Sequence, residues 1–462
     1  MKRRMASLLL LGASVLTLSS CGSKDTLLFL NWGEYIDESL IEAFEEEYNV
    51  TVQMDLGESN EIFYSKAKAG TTVYDVICPS DYMVEKMYAN DLLEKLDFSL
   101  LPHVNLDDRK LSTKKIFKDM DLNLKQHLGD SYVEGTIDNY AVPYLSGTWC
   151  IMYTTKKDGV EQAVTNNSKN QWGSLFDRNT LPAGTKVAMY ESHQHDYYAL
   201  SRYLGLDPTQ EQPQTVLDQM EKIISNMNYD AWGTDTIKKD IVAGNIHLGY
   251  MWTGDFLYYY AENAANQAMD AYLANDIKID EVSNFLDVIT SDERKYTVNS
   301  NTYEIGFDCF IPDDTVAFCD NLVITKDSAN KDLAYKFIDY MLTAEVPEDA
   351  DEDASSQAFT NTYYVDYDAP YNTVYNELTD LADPEIFTEE VAEEFDPKDG
   401  DPYDSDLYWL FYDYVIGISF DKYYENDEYL EENNLEPKGN ILALFDRKYV
   451  NKINVTFNNA RV

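Results

Sequence analysis

The stretch Asn31-Trp32-Gly33-Glu34-Tyr35 sets an indole, a carboxylate and a phenol almost side by side. Such groups hold an organic cation, because a carboxylate takes the charge through a charge-assisted hydrogen bond and ring faces attract it. A second concentration of polar chemistry is Glu191-Ser192-His193-Gln194-His195-Asp196. Imidazole and carboxylate ligands suit divalent metals, so metal binding is one reading of that segment. Two His at i and i+2 share a side on a strand and not on a helix, so chelation there requires an extended chain. Enzyme signatures are missing: there is no HExxH, GxSxG or P-loop, and no cysteine with a His that sequence can assign to it. No cofactor is called for, and the expectation is a protein that binds rather than catalyses.

The elements around the first cluster are legible. Leu27 to Leu30 make a short apolar run without helical period, and Asp37 then N-caps a helix whose apolar positions Leu40, Ile41 and Phe44 recur at three and four residues. In open α/β sheets ligands bind beyond the carboxyl ends of strands, which is where Trp32, Glu34 and Tyr35 fall. The alternative is an indole packed beneath its own helix. Val50 to Leu56 reads as a strand, and Glu58-Ser59-Asn60-Glu61 caps a helix through Phe63, Tyr64 and Ala67. Val73 to Cys78 reads as another strand, stopped by Pro79 and followed by a helix through Val84, Met87 and Tyr88. This alternation implies an α/β fold with a parallel sheet and right-handed crossovers. Further strands are expected at Tyr140 to Leu145, Lys186 to Tyr190, Ile246 to Trp252 and Leu322 to Thr325, with a helix from Asp196 to Leu204 ended by Gly205. Residues 258–303 and 345–440, rich in Tyr, Asp, Glu and Asn, read as elaborations.

Lys plus Arg number 36 against 83 Asp plus Glu, a formal charge of -47. That charge repels nucleic acid and anionic headgroups and favours cationic partners. Much of the excess is local, in Glu345 to Glu352 and Glu377 to Asp406, and acidic faces serve solubility as readily as binding. Lys2, Arg3 and Arg4 precede the apolar segment Leu8 to Leu18, which is short for a membrane span and typical of a signal-peptide core. Leu18-Ser19-Ser20-Cys21 looks like a bacterial lipobox, against the alternative of an ordinary signal peptide with an incidental Cys. Residues 1–20 are thus expected to be a lipoprotein signal peptide and 21–26 a tether lipidated at Cys21. The rest would be a soluble domain at the extracytoplasmic face of the bacterial cell membrane, anchored through the N-terminal lipid only. Cys78, Cys150, Cys309 and Cys319 show no CxxC and no regular spacing; buried thiols are expected, with a Cys309 to Cys319 bridge left open. The 462-residue length fits two lobes or a large two-part domain.

Several ordered segments together resemble the periplasmic spermidine/putrescine-binding proteins of polyamine ABC transporters. They are Leu28-Phe29-Leu30-Asn31-Trp32-Gly33-Glu34-Tyr35, Glu58-Ser59-Asn60-Glu61, Tyr74-Asp75-Val76-Ile77-Cys78-Pro79-Ser80-Asp81-Tyr82, Tyr140-Ala141-Val142-Pro143-Tyr144, Leu248-Gly249-Tyr250-Met251-Trp252 and Phe318-Cys319-Asp320-Asn321-Leu322. Beyond about residue 345 the resemblance thins.

The resemblance implies a type II periplasmic-binding-protein fold of two lobes joined by crossing strands, with one polyamine held between them and passed to ABC permease subunits. Lobe one would be 27–143 plus 322–365, and lobe two 144–321 plus 366–462 with Tyr-rich and acidic insertions. It places the cleft aromatics on Trp32, Tyr35 and Trp252, the turn residues on Ser80 and Tyr82, and the amine-pairing aspartate on Asp320, with Phe318 as a stacking surface. Tyr367 is a weaker match for a further cleft Tyr. The family's acidic pair at the far amine falls on Ser192 and His195, so Glu191 and Asp196 beside them are the expected substitutes, unless they only cap the helix. His195 there would make binding depend on pH. The expected protein is a monomer with neither metal nor nucleic acid. A receptor of the same fold for another solute, and a metal-binding lipoprotein using residues 191–196, are the alternatives. Physically, a charge-assisted bond contributes about 1.5 to 3 kcal/mol and a cation over an aromatic face about 0.5 to 2. Two ends and several rings then reach the roughly 8 kcal/mol of a micromolar complex.

Overall fold

A computed structural model describes residues 25–165, 171–346, 354–395 and 400–461. Cys21, the signal segment and most of the acidic run ending at Glu352 lie outside the described residues. The chain divides into two compact units, one formed by residues up to Ser146 with Phe318–Tyr375, the other by Gly147–Ala317 with Asn376–Val462.

In the first unit, β1 (Thr26–Asn31) pairs in parallel with β2 (Thr51–Leu56) and β3 (Val76–Ile77). Helices Glu38–Tyr48 and Asn60–Ala69 provide the crossovers. Their starts follow from their caps: the Asp37 carboxylate accepts the Ser39 N–H at 2.9 Å, and the Ser59 hydroxyl accepts the Ile62 N–H at 3.3 Å. β3 is shorter than its apolar run, and Asp75 just before it donates its N–H to the Leu28 carbonyl at 2.8 Å. The Leu28 N–H goes to the Asp75 carboxylate at 2.9 Å rather than to a strand carbonyl. Leu27, Phe29, Leu40, Phe44, Val76, Leu322, Ile324 and Phe337 fill the core, with Phe29 and Phe44 rings 5.1 and 5.2 Å from Phe337.

β4 (Val142–Thr154) runs from the first unit into the second. There it joins β5 (Val187–Tyr190), β6 (Ala231–Gly233), β7 (Leu248–Trp252) and β10 (Phe307–Phe310) in the order β10-β4-β7-β5-β6, while β8 (Lys295–Val298) and β9 (Asn301–Glu304) form a separate hairpin. β5 is parallel to both β6 and β7, so Tyr190, Gly233 and Trp252 end at one edge of the sheet. β11 (Ala317–Ile324) returns the chain to the first unit, antiparallel to β3.

The unit boundaries differ from the expected ones, and Phe318, Asp320 and Tyr367 stand in the first unit rather than in lobe two. Side-chain bonding explains this. Lys110, fully buried, places its ammonium 2.7 and 3.0 Å from the Asp368 carboxylate and 3.9 Å from the centre of the Tyr375 ring. Asp368 also exchanges backbone hydrogen bonds with Ser146 at 2.9 and 3.0 Å. The segment carrying Tyr367 is thereby tied to the first unit.

The acidic, Tyr-rich C-terminal part is core rather than decoration. Helix Asp406–Tyr423 is buried on several sides, through Leu407, Phe411, Val415 and Phe420, and packs along helix Thr253–Leu273. Gly417 permits a close approach, since a Cβ there would stand 2.4 Å from the Ala382 nitrogen. Helix Arg447–Ala460 lies on helices Gln214–Met227 and His193–Tyr203. All four cysteines in the described residues are buried free thiols, so the Cys309 to Cys319 bridge is not formed. Among the described residues no helix is long and apolar enough to cross a membrane.

Candidate functional site

In the first unit the turn after β1 and the turn after β3 meet β11. Glu34 adopts a left-handed φ of 53°, which leaves its own side chain exposed and turns Tyr35 inward. The antiparallel register of β3 and β11 continues as a bridge between Ser80 and Asp320. Asp320 is 5% exposed. Its carboxylate accepts the Ser80 hydroxyl at 2.5 Å on one oxygen and the Tyr35 hydroxyl at 2.7 Å on the other. Asn60 fixes Ser80 from behind, donating to its hydroxyl at 2.9 Å and accepting its N–H at 3.0 Å. Burial pushes the Asp320 carboxyl up to about 6, against the pull of the Ser80 and Tyr35 hydroxyls.

Aromatic rings surround this carboxylate. Tyr35 makes edge contacts with Tyr144 at 6.2 Å and Tyr367 at 5.4 Å, and Tyr367 meets Phe318 at 5.9 Å. Trp32 packs 4.4 Å from Phe63 of the second helix, and its buried indole N–H has no hydrogen-bond partner among the described residues. Tyr82 follows Asp81 at the start of helix Asp81–Ala89. The structure thus brings together Tyr35, Ser80, Phe318, Asp320 and Tyr367. Sequence reasoning missed Asn60 and Asp81. Asp81, the variable residue of the Pro-Ser-x-Tyr turn, accepts the Cys319 N–H at 2.9 Å, and burial raises its carboxyl to about 7. Asn60 sat inside the segment read only as a cap.

The second unit holds another aromatic set at the edge formed by Tyr190, Gly233 and Trp252. Trp149 lies 4.3 Å from Trp252, 4.9 Å from Tyr190 and 4.4 Å from His195, stacked on the last. The Trp252 N–H reaches the Tyr190 hydroxyl at 3.3 Å. Trp149 and Tyr190 carried no sequence signal as site residues. His195 is buried, takes Ser192 at 2.6 Å, and burial lowers its pKa to about 3. Burial thus favours its neutral form.

Glu191 and Asp196 are engaged within the chain. Arg461 donates to the Glu191 carboxylate at 2.7 Å, and its guanidinium carbon sits 3.8 Å from the centre of the Trp232 ring. Asp196 is fully buried, and the His193 Nδ1 stands 3.8 Å from its carboxylate. Burial raises the Asp196 carboxyl to about 6, with His193 and Arg461 opposing. Helix His193–Tyr203 begins at the histidines, so the segment lacks the extended form chelation requires. No group of three His, Cys, Asp or Glu among the described residues is placed to hold a metal ion.

Residues 39–371 match the family described as bacterial extracellular solute-binding protein. A spermidine/putrescine-binding periplasmic protein of Salmonella typhimurium is 26% identical over 261 residues, 55% of this chain and 66% of that protein, so the match spans just under two thirds of that relative. The putrescine-binding periplasmic protein PotF of Escherichia coli is 25% identical over 346 residues, 73% of this chain and 78% of that one. In structure, the spermidine/putrescine ABC transporter substrate-binding protein PotD of Streptococcus pneumoniae matches with a TM-score of 0.53 and 20% identity, covering 95% of this chain and 99% of that one. The fold is of the type II periplasmic-binding-protein kind, and the chain belongs to the bacterial extracellular solute-binding protein family.

Proposed function

We propose that this protein is an extracytoplasmic receptor that binds a polyamine, spermidine or putrescine, through aromatic faces and carboxylates and delivers it to the permease of an ABC transporter. The observation that carries the reading is Asp320, a buried carboxylate braced by two hydroxyls and ringed by Tyr35, Tyr367 and Phe318, with no ion-pair partner among the described residues. Burying a carboxylate without a counter-charge is unfavourable, and an ammonium supplies both the charge and the donors. Trp32 and Tyr82 in the first unit, and Trp252 with Tyr190 in the second, offer faces for methylene chains and ammonium groups. The names of the relatives support the same ligand class. Anchoring by lipid at Cys21, action as a monomer and docking to permease subunits belong to the same proposal. Receptors for anions need basic or helix-N-terminal contacts, whereas this set is acidic and aromatic.

A thermal-shift panel of spermidine, putrescine, cadaverine, agmatine, sugars and divalent metals tests the reading. Ligand at a hundred times its dissociation constant stabilises by about 2.7 kcal/mol, an easily read rise in melting temperature. The expected result is a rise with polyamines alone. A rise with a sugar or metal and none with any polyamine contradicts it.

A further inference from the structure

Within the first unit, Ser80 stands between two side chains that fix the direction of its hydroxyl. Asn60, buried at the start of helix Asn60–Ala69, accepts the Ser80 backbone N–H on its carbonyl oxygen at 3.0 Å. A backbone N–H can only donate, so the Asn60 amide has one orientation. Its nitrogen is therefore the group 2.9 Å from the Ser80 hydroxyl oxygen. That nitrogen can only donate in its turn, which leaves the single Ser80 hydroxyl proton for the Asp320 carboxylate, 2.5 Å away. The Asn60 side chain also hydrogen-bonds the Tyr82 hydroxyl. An amide nitrogen carries two N–H donors, enough to serve both hydroxyls of the turn.

We propose that Asn60 is a positioning residue: by donating to the Ser80 hydroxyl it commits that hydroxyl's proton to Asp320, and so holds the carboxylate as an acceptor for the ammonium of a polyamine. The inference rests on the polyamine reading. Donors aimed at a carboxylate favour its charged form, and the Ser80 and Tyr35 hydroxyls act in that sense here against burial. Each Asp320 oxygen accepts one hydroxyl and keeps capacity for a further donor, an N–H of the ammonium. A Ser80 hydroxyl free to turn would serve a protonated Asp320 as readily as an ionised one. The other titratable groups facing Asp320 are Tyr35 from the turn after β1, Cys78 after β3, Asp81 and Tyr82 from the next helix, Tyr144 from β4 and Cys319 from its own strand. Burial raises each of them, so the phenols and thiols stay neutral and Asp81 is the other carboxyl of the set.

Calorimetric titration of the full-length mature protein with putrescine, from about pH 5 to 8, gives the pH at which affinity falls to half its plateau value. Asn60→Asp keeps the shape and the acceptor for the Ser80 N–H and replaces only the donor. It is expected to move that midpoint up by about one pH unit, which is roughly tenfold weaker binding below the midpoint. In a Ser80→Ala background no hydroxyl links residue 60 to Asp320. There the same substitution is expected to move the midpoint much less, by the effect of the added charge alone. If Asn60→Asp fails to fold, Asn60→Leu removes the donor without adding charge and is read in the same two backgrounds. A parent that binds putrescine, with a midpoint that the Asn60 variant leaves in place or moves equally in both backgrounds, overturns the role of Asn60 and leaves the polyamine reading standing. A parent that binds neither putrescine nor spermidine overturns both.

Discussion

Replacing Asp320 with Asn exchanges one carboxylate oxygen for an amide and leaves the shape of the site intact. Two effects of opposite sign follow. In the unliganded protein the carboxyl is raised from 3.8 to about 6 by burial, net of the Ser80 and Tyr35 bonds. A carboxyl with a raised folded-state pKa binds more protons folded than unfolded, so its penalty grows as pH rises from about 4 to about 6 and is complete above. A shift of about two units corresponds to about 3 kcal/mol, so at pH 8 the Asn variant is expected to be at least as stable as the parent, gaining up to about that amount. Binding moves the other way. Loss of the ammonium–carboxylate bond removes about 1.5 to 3 kcal/mol, or roughly ten- to a hundredfold in affinity. Urea unfolding of the free protein and calorimetric titration with putrescine measure the two terms separately. A residue conserving structure alone would lose stability and keep affinity. Destabilisation of the Asn variant together with unchanged putrescine affinity refutes the reasoning.

Three further outcomes are expected. Affinity for polyamines holds above about pH 7 and falls by up to about tenfold per unit below about pH 6 as Asp320 protonates, and titrations across pH 5 to 8 that stay flat count against it. Ligand changes intrinsic tryptophan fluorescence, and a response surviving replacement of both Trp32 and Trp252 by Phe removes them from the site. Lys110→Met removes the buried ammonium from the Asp368 carboxylate, which costs about 3 to 5 kcal/mol in denaturant unfolding, while Lys110→Met combined with Asp368→Leu recovers much of it; a single variant as stable as the parent contradicts the buried-pair account.

Local signals were the ones sequence could carry. The Asp37 and Ser59 caps, the apolar run of β1 and the parallel crossovers depend on residues close in the chain, and each appears where its chemistry requires. The pairing of Ser80 and Tyr35 with Asp320 bridges 240 and 285 residues, so only the ordered motifs of a related family could bring them to attention. The second unit's aromatic and acidic set was less legible for the same reason. Nothing at Glu191 announces an arginine 270 residues later, and His195 reads as titratable until Trp149 is seen stacked on it. The tie that holds the loop of Tyr367 in the first unit, Lys110 to Asp368, spans 258 residues with no local pattern. The Tyr-rich C-terminus resembled wet surface by composition, yet helix Asp406–Tyr423 is apolar on several sides and sits in the core.

The central claim is that an ammonium group of the ligand completes Asp320. A crystal structure of the protein grown with putrescine tests it directly: an amine nitrogen is expected about 2.7 to 2.9 Å from an Asp320 carboxylate oxygen, with Ser80 and Tyr35 still donating to that side chain. Putrescine bound elsewhere, with the Asp320 carboxylate touching only its two hydroxyls, contradicts the account.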